Sequence, residues 1–346
     1  MPLLRESLEG LRLGNKILPS EIVNNPFGVT EGNVYWVKKT TDSNYADFVA
    51  NHQFTYSDGT ESVYNTIQAA VNASTGGRGD VIVVCQGKWE EDVVIYQKYG
   101  LRLFGVGYGT GSTEAGATRI RPNGAAVKYS FTSKIGTAAD GAGFHVMSNN
   151  VEIAGFYFDG GGGSAGIYAG GGLNGGTGLP SVSANCSGLW IHNNMIRGGS
   201  EGTIGVYMNG VRFGAIIENN LFERWTGAAI EMDGGNASNE FCVIRGNTFL
   251  ADDAAYGIDV FGEIPSAYGC FIASNYFGDR VSNAFTMAVN IRTGSTGVMN
   301  VVDNHFAVNH PMVLTTADWV SGNTYGFAGS ATEDNNKAIQ ESNAGA

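Results

Sequence analysis

No apolar run in this sequence approaches the ~20 residues of a membrane-spanning helix, so no membrane span is expected. The first residues, Met1 to Gly14, break their leucines with charges and glycine and lack the apolar stretch of a signal peptide, which points to synthesis in a cytoplasm. Basic residues are few, 20 against 32 acidic. The resulting charge of −12 disfavours nucleic acid as a partner, because phosphate-backbone binding depends on basic clusters. The four cysteines show no zinc spacing. Cys242 and Cys270 recur at one position of a repeat, which reads as buried thiols rather than a disulfide. No metal and no cofactor is expected. No Lys-Ser or Lys-Thr pair closes the glycine-rich stretch Asp159 to Ser183, so its eleven glycines do not make a phosphate loop. That stretch reads as a long surface loop. Disorder is excluded as well: glycine is abundant, 52 of 346, but 43% of the residues are apolar and 11% aromatic. The glycines mark turns between short strands.

What is present is one phrase used six times between Leu189 and Tyr325: IHNNMI (Ile191 to Ile196), IENNLF (Ile217 to Phe222), IRGNTF (Ile244 to Phe249), IASNYF (Ile272 to Phe277), VVDNHF (Val301 to Phe306) and VSGNTY (Val320 to Tyr325). Its asparagines, Asn194, Asn220, Asn247, Asn275, Asn304 and Asn323, are 26, 27, 28, 29 and 19 residues apart. A period in the twenties signals a solenoid. Alternation along a strand puts each Ile or Val and the residue two before it on one face. The Asn and the aromatic fall at odd offsets, so the chain must bend near the Asn to return Phe222, Phe249, Phe277 and Phe306 to the core. Asn tolerates left-handed dihedrals and bonds local backbone, which suits that bend. Stacked about 4.8 Å apart, the asparagines would also bond one another. Second strands follow at Val206 to Met208, Ile230 to Met232, Ile258 to Val260, Met287 to Ile291 and Met312 to Leu314. With no helical pattern between strands, the expected fold is all-β, a right-handed single-stranded parallel β-helix.

A solenoid end needs a cover, since open strands template aggregation. A capping helix is expected at about residues 62 to 75, with Ser62 as its N-cap and Val63, Ile67, Ala70 and Val71 as its apolar face. Thr40 to Glu61 reads as a polar stretch. Three regions follow: an amino-terminal arm or attachment segment (1–31), the β-helix (32–325) and a carboxy-terminal cap or tail (326–346). Leu3, Leu4, Leu8, Leu11 and Leu13 supply the arm's apolar contacts.

The passages GNVYWV (Gly32 to Val37), DGTESVYNTIQAAVNAS (Asp58 to Ser74), GDVIVV (Gly79 to Val84), GKWEEDVVI (Gly87 to Ile95) and GLRLFGVG (Gly100 to Gly107) together resemble the start of right-handed parallel β-helix proteins of the pectate-lyase-like superfamily. With the asparagine repeats, the resemblance spans most of residues 32 to 325. The superfamily includes pectin-active enzymes, surface proteins and phage virion proteins, and this chain resembles the last group. The catalytic phrases are missing. Arg119 to Ala125 opens like the lyases' Arg-x-Pro-x-x-Arg but has Ala125 where the second Arg belongs. Asp252 and Asp253 follow Ala251 where polygalacturonases have glycine, and no Gly-His-Gly occurs. The pectin methylesterases' Gln-Asp and Asp-Phe-x-x-Gly phrases are absent too.

The resemblance therefore implies a non-enzymatic structural component of a phage virion, a capsid-associated decoration, spike or fibre protein located in the particle. A homotrimer bound to capsid or tail components is expected. The alternatives are a glycan-degrading depolymerase, lyase or hydrolase, and a non-catalytic adhesin for a host surface glycan. For catalysis the candidates are Glu231 and Asp259, at equivalent outward positions on adjacent coils, with Asp233 beside them. Such a pair can divide acid and base roles or hold a hard cation, but a solvated outer face is the plainer reading. Tyr207 begins the same row and is a candidate for carbohydrate binding. Trp190, Trp225 and Trp319 are core residues or sugar platforms, with Trp225, in a turn beside Arg224 and Gly227, the first choice for carbohydrate. His52, His145, His192, His305 and His310 are scattered and read as surface or turn residues.

Overall fold

The computed structural model describes residues 32–107, 142–159, 165–170, 186–198, 204–211, 213–233, 239–251, 255–261, 267–279, 285–291, 299–308, 312–314 and 319–325, with the short strands Arg12–Leu13, Lys16–Ile17 and Thr118–Arg121. Leu3, Leu4, Leu8, Leu11 and the tail 326–346 lie outside the described residues; Leu13 is placed only as part of its strand, which pairs antiparallel with Lys16–Ile17.

The chain winds into a right-handed parallel β-helix of three long sheets. Sheet 1 has eleven strands, sheet 2 nine and sheet 3 eight, and each coil adds one strand to each sheet in turn. One full coil is Ala215–Glu218 in sheet 1, Leu221–Glu223 in sheet 2 and Ala228–Asp233 in sheet 3. The repeated phrase spans the corner between sheets 1 and 2. Its Ile is the inward residue of the first strand, its Phe the inward residue of the second, and its Asn lies between them.

Both expected ladders form. Each asparagine Nδ2 donates to the Oδ1 of the next, from Asn194 to Asn220 (3.1 Å), Asn220 to Asn247 (3.0 Å), Asn247 to Asn275 (3.1 Å), Asn275 to Asn304 (3.0 Å) and Asn304 to Asn323 (3.1 Å). Phe156 stands where a seventh Asn would be, and its backbone N–H donates to Asn194 Oδ1 (3.0 Å). The rings of Phe222, Phe249, Phe277 and Phe306 stack at 4.9, 4.6 and 5.0 Å in the core. The bend itself falls one residue earlier than expected. Left-handed φ belongs to Asn193, Asn219, Gly246, Ser274, Asp303 and Gly322, the residue before each ladder Asn. The ladder Asn is thereby free to point inward and bond along the stack.

Two helices follow the first strand of sheet 1, α1 (Tyr45–His52) and α2 (Ile67–Ala73), and α2 packs against the first strands of that sheet. Helix α2 buries Ile67, Ala70 and Val71, as its spacing predicts, but its N-cap is Thr66, whose side chain accepts from Ala69 N–H (3.1 Å), and not Ser62. Ser62 and Val63 lie before the helix: Val63–Tyr64 pairs with Val34–Val37, and buried Ser62 bonds Phe54 N–H and His52 C=O. Helix α1 was hidden in the polar stretch because none of its residues is buried; its Phe48 and His52 rings pack instead against Trp36.

The glycine-rich stretch is not wholly loop. Ala165–Gly170 is a buried strand of sheet 3, between Ala142–Met147 and Ile204–Asn209. Small residues are required at this level of the sheet because the ladder rings pass close by. At the corresponding Gly257, a Cβ would run into the Ala288 carbonyl and lie 2.9 Å from the Phe277 ring. Cys186, Cys242 and Cys270 are free and buried, and Cys270 Sγ accepts from Cys242 N–H (3.4 Å). Hydrogen bonding to Cys270 and burial push the Cys242 thiol well up, so that thiol stays protonated. Among the described residues no helix is long and apolar enough to cross a membrane.

Candidate functional site on the outer face of sheet 3

Strand alternation places Ile230 and Met232 in the core and turns Glu231 and Asp233 away from it. Parallel pairing then sets the outward residues of successive strands in line. One row is His145, Tyr168, Tyr207, Glu231, Asp259 and Asn290; beside it run Asn209 and Asp233. The expected pair is thus real: Glu231 and Asp259 are register partners on adjacent strands. Tyr207 and Asp233 belong to the same site, the Tyr207 hydroxyl donating to Asp233 Oδ2 (2.6 Å). Asn290 Nδ2 donates to Asp259 Oδ1 (2.8 Å).

The reading of these acids as a solvated face is wrong. Glu231 is 1% exposed and Asp259 2%, and the whole of Ile204–Asn209 and Ala228–Asp233 is buried. Outward residues of sheet 1, such as Trp190 and Phe271, are exposed by contrast. Desolvating carboxylates costs several kcal/mol per ion, so the row is an arrangement that core packing alone does not reward. Glu231, Asp233 and Asp259 do not form a cation cage; among the described residues no group of three or more His, Cys, Asp or Glu is placed to hold a metal.

His145 and Tyr168 were missed by sequence reasoning, as were Asn209 and Asn290. The only signal was register: Tyr168, Asn209 and Asn290 each lie one coil from a recognised member, and His145 lies two. His145 is no surface residue. It is buried edge-on to Tyr168, with centroids 4.4 Å apart, and burial pushes its pKa down to about 4. The unfolded chain takes up this proton near pH 6.5. Stability from the neutral imidazole is therefore complete above about pH 6.5 and declines as the pH falls from there toward about 4. His145→Phe should flatten that decline, as read from urea midpoints at neutral and mildly acidic pH; an unchanged slope would place the acid sensitivity elsewhere.

Trp225 is not a sugar platform. It is 1% exposed, packs edge-on to Phe249 and donates from Nε1 to the Tyr256 carbonyl (2.6 Å). The exposed tryptophan is Trp190, on the outer face of sheet 1, stacked at 4.1 Å on His192 and bonded to Glu218 Oε1 (2.9 Å). The side chain of Trp319 lies outside the described residues.

No family model matches this chain, and no curated protein matches it in sequence. Among solved structures it is similar to a pectin methylesterase from Aspergillus niger, at 14% identity and a TM-score of 0.51, covering 86% of this chain and 90% of that one. That likeness is one of fold. A pectate lyase from Xanthomonas campestris (16% identity, 75% and 77% covered, TM-score 0.45) and PfbA, a surface adhesin of Streptococcus pneumoniae (12%, 75% and 86%, 0.45), are more distant.

Proposed function

We propose that this protein is a glycan-directed β-helix that takes carbohydrate at the outer face of sheet 3. The observation that carries this reading is the shielded polar row itself. Two of its atoms, Asn209 Oδ1 and His145 Nε2, are buried without a hydrogen-bond partner among the described residues, and such groups call for an explanation. Sugar hydroxyls can donate to both, and the Tyr168 and Tyr207 rings, 5.0 Å apart, stand in the row between His145 and the carboxylates. Glu231 and Asp259 are register partners on adjacent strands, whose backbones run ~4.8 Å apart. Hydrolysis of a glycosidic bond, with one carboxyl as acid and the other as nucleophile, is the reaction assigned to this pair.

Oligosaccharide release from a panel of neutral and acidic polysaccharides tests this. Glu231→Gln and Asp259→Asn should each lower release by about 10²-fold or more. Neither should lower the melting temperature, because an amide of the same size costs less to bury than a carboxylate. Release unaffected by either change would reject the site. The expected virion component, trimeric and attached through residues 1–31, rests on the sequence resemblance, and co-purification with particles is its test.

A further inference from the structure

A second surface lies on the opposite chemistry. Trp190, Ile216 and Phe271 occupy one outward row of sheet 1 and are exposed, with half-buried Val243 between the last two. At the turns entering these strands, Phe213 is 71% exposed and Phe241 53%. Both phenylalanines have left-handed backbone, φ 56° and 54°. Phe241 holds the turn position that Gly269 fills in the next coil, and its ring lies over that glycine. A bulky residue at positive φ is strained, and an exposed aromatic is unrewarded by solvation. Retention of both features together is accounted for when the rings become buried on assembly.

We infer that this ridge is where two copies of the chain meet. Charge selects the occupant. At −12 two copies repel, yet the acids of this face are compensated: Glu152 by Arg102 (3.4 Å) and His192 (2.9 Å), and Glu218 by Arg245 (2.7 Å). Like-charged copies can approach only over such a neutral area, whereas a basic partner would be drawn to uncompensated acids. Phe213, Ile216, Phe241 and Phe271 carry no side-chain polar atoms for sugar hydroxyls, and aromatic rings are what the centres of protein interfaces are enriched in. A two-fold axis normal to the face sets each ridge against the other and closes without leaving a further apolar surface.

Light scattering of the full chain at micromolar concentration should give twice 36.4 kDa. Phe213→Asn with Phe241→Asn should give the single-chain mass with an unchanged or higher melting temperature, because Asn accepts left-handed φ. Ile216→Glu, which touches no strained turn, should dissociate the protein equally. A trimer, which the sequence resemblance implies, or any other oligomer of more than two copies overturns the two-fold pairing. A monomeric wild-type chain overturns the inference, as does an oligomer indifferent to all three substitutions. Monomers obtained only with a large fall in melting temperature would assign the rings to the fold and also overturn it. So would quenching of Trp190 fluorescence by neutral oligosaccharides with the chain monomeric, which would make the face a carbohydrate surface.

Discussion

Asn247→Ala is expected to destabilise the protein by about 4 kcal/mol, more than its loss of three side-chain heavy atoms would suggest. Its Nδ2 donates to the Ile217 carbonyl (2.8 Å) and to Asn275 Oδ1, and its Oδ1 accepts from Asn220 backbone N–H (3.0 Å) and Nδ2 (3.0 Å). Alanine leaves the Asn220 N–H buried without this acceptor, at ~1 to 3 kcal/mol, and removes the side-chain bonds to Asn220, Asn275 and Ile217, each contributing ~0.5 to 1.5 kcal/mol. Asn247→Asp keeps the acceptor but removes the donor and adds a charge at a site 1% exposed, so it should cost at least as much. Urea denaturation followed by circular dichroism gives the number. A loss below about 1 kcal/mol for both changes would mean that the ladder is incidental to stability.

Phe249→Ala should cost ~3 to 5 kcal/mol, the range for large-to-small changes in a core that cannot collapse. The ring is fully buried between Phe222 and Phe277 and meets Trp225 edge-on. The coils above and below are held by continuous parallel pairing, so the backbone cannot close the gap. In a solenoid the damage is felt by the nearest coils. The melting transition should therefore broaden or split as well as fall. A sharp transition lowered by no more than that of exposed Lys88→Ala would refute the packing described here.

Much of this fold was legible because its determinants are local and repeated. Alternation at period two and a bend at one corner require only the residues of the phrase, and six copies average out the noise. Where a coil lacked the phrase, legibility failed: Ala165–Gly170 looks like loop because its glycines serve as clearance for the next coil's carbonyls, that of Gly205 beside Gly166 and that of Asn209 beside Gly170. The N-cap was misplaced for a related reason. Ser62 and Thr66 are both acceptable caps in isolation, and pairing of Val63–Tyr64 with Val34–Val37 starts the helix later.

For the sites, the sequence by itself determined direction. It put Glu231, Asp259 and Asp233 on the side away from the core and Glu231 next to Asp259, since alternation and register follow from the chain's own period. Only the tertiary structure decided exposure. Identical outward positions are open on sheet 1 and shielded on sheet 3, and Trp225 turned out buried while Trp190 stayed exposed. Whether an outward residue meets water depends on what packs over it from elsewhere in the chain, and no local pattern of strand residues encodes that.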